Sequence, residues 1–150
     1  MSATLPVDQV GKRYAAVSYA VGREKIREFA QAVGETDPLY LELDAARAAG
    51  YADLVAPPMF AVVYSGRAVR PALFDPELEI DFAMLVHGAQ EFRWERLVIG
   101  GDEIDTEVEV KSIEARRGLG FYVFESVSRN QRGETVCVGT WTNIVRGLPE

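Results

Sequence analysis

The sequence holds one cysteine, Cys137, so no disulfide can close within the chain. It also holds one histidine, His87, and a single His with a single Cys does not make a His/Cys zinc site. No metal and no cofactor is expected. A basic surplus is missing: 16 Lys and Arg stand against 23 Asp and Glu, for a formal net charge of −7. Such a chain repels phosphodiesters and anionic bilayers, which excludes nucleic acid and membrane surfaces as expected partners. No apolar run reaches the ~20 residues needed to cross a bilayer. Met1 to Val10 lacks a basic start followed by an apolar stretch, so no export signal is expected and the chain reads as cytoplasmic. Repeats, low-complexity tracts and linkers are absent, and 1–150 reads as one domain. Cys137 falls in an alternating strand pattern and reads as a small buried side chain. A nucleophilic Cys137–His87 pair has no local signature to support it.

What is present is organised around Ala56-Pro57-Pro58-Met59-Phe60-Ala61-Val62-Val63-Tyr64-Ser65-Gly66-Arg67-Ala68-Val69. The run is apolar on nearly every side and too short to span a bilayer, so it predicts a helix buried in a core. Proline suits a first helical turn, where its missing N–H costs nothing. Pro57 and Pro58 therefore open this helix, and Pro71 is expected to close it. Arg67 and Arg70 near its end suit the negative pole of a helix.

The first 13 residues read as a loosely ordered lead-in, followed by a short strand over 15–21. Ile26, Phe29, Ala30 and Val33 recur at helical spacing and predict a helix over 23–33, stopped by Gly34. Glu35 to Tyr40 reads as a polar turn in which Asp37 caps or turns the chain. A second short helix is expected over 43–49, ending at Gly50. Residues 71–82 read as a long, irregular acidic connection. The period then changes to two, predicting strands over 83–96, 103–115, 119–129 and 134–146. Gly100-Gly101-Asp102, Arg117-Gly118 and Asn130-Gln131-Arg132-Gly133 read as the hairpin turns between them. One antiparallel sheet curled around one helix is a two-layer α+β solution with two open edges, which a dimer packed side by side would cover.

This order of elements, with Val21 to Ala30, Gly50 to Phe60, Val86-His87-Gly88-Ala89-Gln90-Glu91-Phe92 and Gly101-Asp102, resembles the hotdog fold. More narrowly it resembles the MaoC-like hydratases and dehydratases, and above all the HadA-type subunit, also described as the N-terminal MaoC dehydratase domain. The resemblance covers nearly the whole chain. It implies a five-stranded antiparallel sheet wrapped around a long buried helix. It also implies addition or syn elimination of water across Cα–Cβ of an acyl thioester of coenzyme A or a carrier protein.

Catalytic members carry a loop with Asp, then Asn-Pro, then His, and many have His-Gly where the buried helix begins. Carried over, the loop proline matches Pro38, Glu35 takes the place of the Asp, Tyr40 that of the His, and Pro57-Pro58 that of His-Gly. Tyrosine has an unperturbed pKa near ~10 against ~6.5 for histidine, so near neutral pH it is a poor proton acceptor. Prolines have no N–H to hold a developing enolate oxygen, so that role passes to Met59 or beyond. The resemblance thus implies the non-catalytic, acyl-chain-binding half of a two-subunit enzyme, with Pro58, Met59, Phe60, Val63 and Tyr64 lining the acyl channel. Homodimer and heterodimer with a catalytic MaoC-type subunit both stay open. Three rivals remain at this point: a self-sufficient homodimeric hydratase using Glu35 as base, with Tyr40 or His87 as acid; a non-enzymatic acyl-thioester-binding module; and a thioesterase.

Overall fold

Two prolines without N–H groups start the central helix as a single 3-10 turn, Pro58–Phe60, which passes directly into α4, Ala61–Leu73, in the computed structural model. The structure describes residues 4–148. In chain order the remaining elements are β1 (Arg13–Ala20), α1 (Arg23–Ala32), α2 (Pro38–Leu41), α3 (Leu43–Ala48), β2 (Leu85–Trp94), β3 (Glu103–Arg116), β4 (Leu119–Arg129) and β5 (Thr135–Val145). The strands form one five-stranded antiparallel sheet in the order β1-β3-β4-β5-β2. This is the α+β hotdog arrangement, with the sheet curled around α4.

Strict alternation builds the sheet. Along β4, and along β5 from Cys137 onward, every second residue is buried, so Tyr122, Phe124, Trp141 and Val145 face the helix. α4 answers with Tyr64, Ser65, Ala68, Val69 and Ala72. Small residues predominate on that face, which lets the helix lie close to the sheet. Register breaks in β1, β2 and β3 (between Tyr14 and Val17, His87 and Ala89, Val110 and Ser112) bend the strands and give the sheet its curl. Gly139 is the tightest point of the wall: a Cβ there would meet Ser126 Oγ at 2.5 Å and Trp141 Nε1 at 2.8 Å.

The structure corrects several expectations. Pro71 does not close the central helix, which runs two residues further to Leu73. A proline in the last turn removes one helical bond and points its ring outward, so the turn survives. The helix is not buried on all sides: Met59 and Val62 are exposed, 49% and 39%. Val33 lies past the end of α1 and is exposed rather than on its buried stripe. Residues 38–41 make one helical turn instead of continuing the polar turn, because Asp37 Oδ1 accepts from the Leu39 N–H at 2.9 Å and Pro38 takes the first position.

Gly100-Gly101-Asp102 is not a hairpin turn. β2 lies at one edge beside β5 and β3 lies next to β1, so this segment ends a crossover between strands that do not touch. The connection after α4 is ordered: 3-10 turns at Pro76–Leu78 and Phe82–Met84 are capped by Asp75 and Asp81, and Leu78 is fully buried. Nor is the lead-in loose where it is described. Gly11 N–H donates to Val110 O at 2.8 Å and the Val110 N–H returns to Lys12 O at 2.9 Å. Residues 1–3 lie outside the described region.

Candidate functional site

The start of α4 is held between two neighbours. On one side Ala56 N–H donates to Val98 O at 2.8 Å, tying the turn to the segment after β2. On the other, Val55 N–H donates to Leu39 O at 2.9 Å, tying it to α2 and the loop that bears Glu35 and Tyr40. A salt bridge fixes the approach to the turn. Arg23 grips Asp53 with two hydrogen bonds, Nε to Oδ1 at 2.9 Å and Nη2 to Oδ2 at 2.8 Å, and Leu54 N–H adds a third at 2.7 Å. The Arg23 hydrogen bonds hold the Asp53 carboxyl below its ordinary range. Gly100 makes room for it, since a Cβ there would meet Asp53 Oδ1 at 2.5 Å. Asp53 was not singled out from the sequence, because an acidic residue in a loop carries no local sign of a partner 30 residues away.

The candidate catalytic residues sit as follows. Glu35 follows the end of α1, its N–H bonded to Ala30 O at 2.8 Å and its side chain exposed. Tyr40 is half-buried in α2, and burial first, then the Asp37 and Glu35 charges, push its hydroxyl above the usual tyrosine range. Glu35 and Tyr40 are therefore near each other. His87 is not with them. It opens the far end of β2, opposite Asn143, with its ring edge-on to Trp141 at 6.0 Å. Seven residues separate it from Trp94 at the helix-start end of the strand, roughly 20 Å of β-chain.

At the helix start the donors are few. Pro57 and Pro58 have none. Phe60 N–H is used by Pro57 O at 2.8 Å, and Ala61 N–H by the Pro58 and Met59 carbonyls. The Met59 N–H has no backbone partner among the described residues.

Beside this turn lies a mostly apolar cleft of about 330 Å³. One wall is the helix start with Pro58, Phe60 and Tyr64, and the other is the segment Trp94–Val98. Of the expected channel residues, Pro58, Phe60 and Tyr64 line it, whereas Met59 faces solvent and Val63 packs against the core beneath. Trp94 and its following loop were read from the sequence only as strand. Below the cleft, burial pushes the Cys137 thiol up to about 11, with the Tyr64 hydroxyl beside it offsetting only part of this, so the thiol stays protonated. No group of His, Cys, Asp or Glu side chains suited to a metal ion occurs among the described residues. No helix there is long and apolar enough to cross a membrane.

Fold and site together define a hotdog protein of the hydratase and dehydratase class. A family model described as FAS1-like, dehydratase domain region, matches residues 8–138, and the chain belongs to that family. It is 42% identical over 149 residues to a UPF0336 protein of Saccharopolyspora erythraea, covering 97% of this chain and 96% of that one. A UPF0336 protein of Clavibacter michiganensis is 43% identical over 89% of each chain. Among solved structures, a MaoC-like dehydratase superposes with a TM-score of 0.85 at 26% identity, covering 95% of this chain, which spans 43% of that longer one. The C-terminally truncated HadBC (3R-hydroxyacyl-ACP dehydratase) complex of Mycobacterium tuberculosis gives 0.80 at 27% identity, covering 93% of this chain and 99% of that one.

Proposed function

We propose that this chain is the acyl-chain-binding, non-catalytic subunit of an (R)-specific 3-hydroxyacyl-thioester dehydratase or enoyl-thioester hydratase, and that it works beside a catalytic MaoC-type partner. The observation that carries the reading is the mismatch at the start of α4. An apolar cleft of about 330 Å³ is built there, while the place that the family resemblance gives to the catalytic His holds Tyr40, whose hydroxyl is held above its ordinary range. Below pH 8 such a group stays protonated; it donates a hydrogen bond and takes no α-proton.

Two further observations support a partner. The edge strand β2 has one neighbour, β5, and leaves its other side unpaired among the described strands. The turn before α4 exposes Met59, α4 exposes Val62, and past its end Phe74 stacks on Phe82 with centroids 4.7 Å apart, both exposed. An unpaired edge strand and exposed apolar side chains each suit an association surface. The similarity to the two-subunit HadBC complex is in keeping with this. The substrate is then an acyl thioester of a carrier protein or coenzyme A, and no metal or other cofactor takes part.

The test is hydration of enoyl-CoA, followed as loss of the conjugated thioester absorbance, by the purified chain and by the chain co-expressed with a MaoC-type partner. The expected result is silence alone and turnover by the pair. Turnover by the chain alone that Glu35→Gln abolishes overturns the proposal in favour of a self-sufficient hydratase.

A further inference from the structure

Trp94 closes one side of the cleft in a way its exposure does not require. The side chain ends β2 and is 46% exposed, yet its indole N–H donates to the Pro58 carbonyl at 2.7 Å. That bond runs from the edge strand to the first turn of the central helix, and both of its residues line the cleft. Phe92 braces the ring from within the strand, with centroids 5.9 Å apart. A half-exposed side chain ordinarily exchanges rotamers freely. Here an apolar plate is pinned at its rim, which takes a residue with both a broad ring and a donor at its edge. Pro58 contributes as well: the same carbonyl also takes the Ala61 N–H, so the anchor belongs to a turn fixed by two prolines.

We propose that Trp94, latched to the Pro58 carbonyl, sets how long an acyl chain the cleft admits. The inference rests on the reading of the cleft as an acyl site. A chain entering between Phe60 and Tyr64 on one wall and the Glu95–Val98 segment on the other gains contact until it meets the latched ring. Beyond that length additional methylenes stay in water.

The test is a ladder of saturated acyl-CoAs from butanoyl to hexadecanoyl, titrated calorimetrically into the full-length chain. For the wild-type protein, affinity rises by about fourfold per methylene up to a break and is flat beyond it. Trp94→Ala moves the break to chains longer by one or more methylenes. Trp94→Phe keeps a ring but loses the donor, and discrimination at the break falls by about fivefold. Emission gives a separate readout. The chain has two tryptophans, and Trp141 is buried and bonded to Ser126, so an occupied cleft changes the surroundings of Trp94. An unchanged break in both variants overturns the latch and leaves the acyl site standing. Absence of both heat and emission change with every acyl-CoA overturns the acyl site, and the latch with it.

Discussion

Replacing Gly139 by alanine tests whether the wall behind the central helix is as tight as its geometry implies. The new methyl carbon would stand 2.5 Å from Ser126 Oγ, 2.8 Å from Trp141 Nε1 and 3.0 Å from Phe92 Cε1. None of these can step aside cheaply. Ser126 is buried and accepts the Trp141 indole N–H at 2.9 Å, and Phe92 meets the Trp141 ring edge-on with centroids 5.8 Å apart. The methyl must either part the indole from the hydroxyl or push the ring toward α4, where even a Cβ added at Gly66 would stand 3.8 Å from the indole, an ordinary contact. Overpacking costs about 1–3 kcal/mol, and a buried donor left without its acceptor costs about 1–3 kcal/mol. One displacement produces both effects, so they overlap and the expected loss is about 3 kcal/mol. For a chain of this size that lowers Tm by roughly 6–12 °C.

Urea unfolding followed by tryptophan emission measures it, alongside Ser126→Ala and the double variant. Ser126→Ala removes the nearest clash but strands the indole, for about 1–2 kcal/mol. The double variant should then fall short of the sum by about 1 kcal/mol, because the two changes share one contact. A Gly139→Ala protein within about 0.5 kcal/mol of wild type, or strict additivity, refutes the account.

Three further outcomes are expected. Asp53 has its carboxyl lowered by Arg23, so its stabilisation is present above the unfolded value near ~4 and is lost as pH falls through the lower folded value; Asp53→Asn should flatten the acid limb of an unfolding curve below that point, and an unchanged limb counts against the pairing. For Asp75, burial alone raises the carboxyl, but hydrogen bonds from Lys12 and Tyr14 outweigh it and the net direction is down; Asp75→Asn should cost about 1 kcal/mol through the Tyr14 bond of 2.6 Å and speed amide exchange at Gly11 and Val110. Val62 is exposed on α4, so Val62→Asp should leave the melting curve of the isolated chain in place yet weaken assembly with a MaoC-type partner by about 30-fold or more, read as loss of the complex in light scattering; full assembly rules this face out.

Much of the fold was legible because its signals are local. β4 alternates strictly and β5 does so from Cys137 onward, since one face of each is buried, and their hairpins carry turn residues: Arg117 and Gly118 both adopt positive φ, 50° and 71°. The double proline marked the start of the central helix because a missing N–H matters least there. Pro71 misled by the same logic, since a last turn can lose one bond and continue. The crossover from β2 to β3 was invisible because pairing is a property of the sheet: a Gly-Gly-Asp segment ends a hairpin and a long crossover equally well. At the site, Glu35 and Tyr40 were placed together by their spacing around Pro38, but His87 was offered beside them with nothing local to say that β2 carries it away. Trp94 escaped notice because its defining contact spans 36 residues and ends on a backbone carbonyl, which leaves no trace in the side-chain pattern.

The cleft and the proposed proton-handling residues are carried by different parts of the chain, and that separation makes the proposed division of labour physically simple. The cleft depends on the start of α4 and the segment after β2, which are fastened by Ala56 to Val98 and Trp94 to Pro58. Glu35 sits between α1 and α2 and Tyr40 in α2, which is tied to the helix start by the bond from the Val55 N–H to the Leu39 carbonyl. Exchanging a base for a tyrosine there therefore leaves the cleft walls in place, and replacing His-Gly by two prolines stiffens the turn that carries one wall. In the proposed reading both changes remove chemistry while preserving a shaped apolar surface. In the proposed pair the partner needs this chain for shape alone, and Pro58, Phe60, Tyr64 and Trp94 supply that shape. Grafting follows from this: Glu35→Asp with Tyr40→His should leave the acyl-CoA ladder of the isolated chain unchanged, because neither residue lines the cleft. A shifted ladder in that double variant shows that loop and cleft are coupled, and the division of labour then fails.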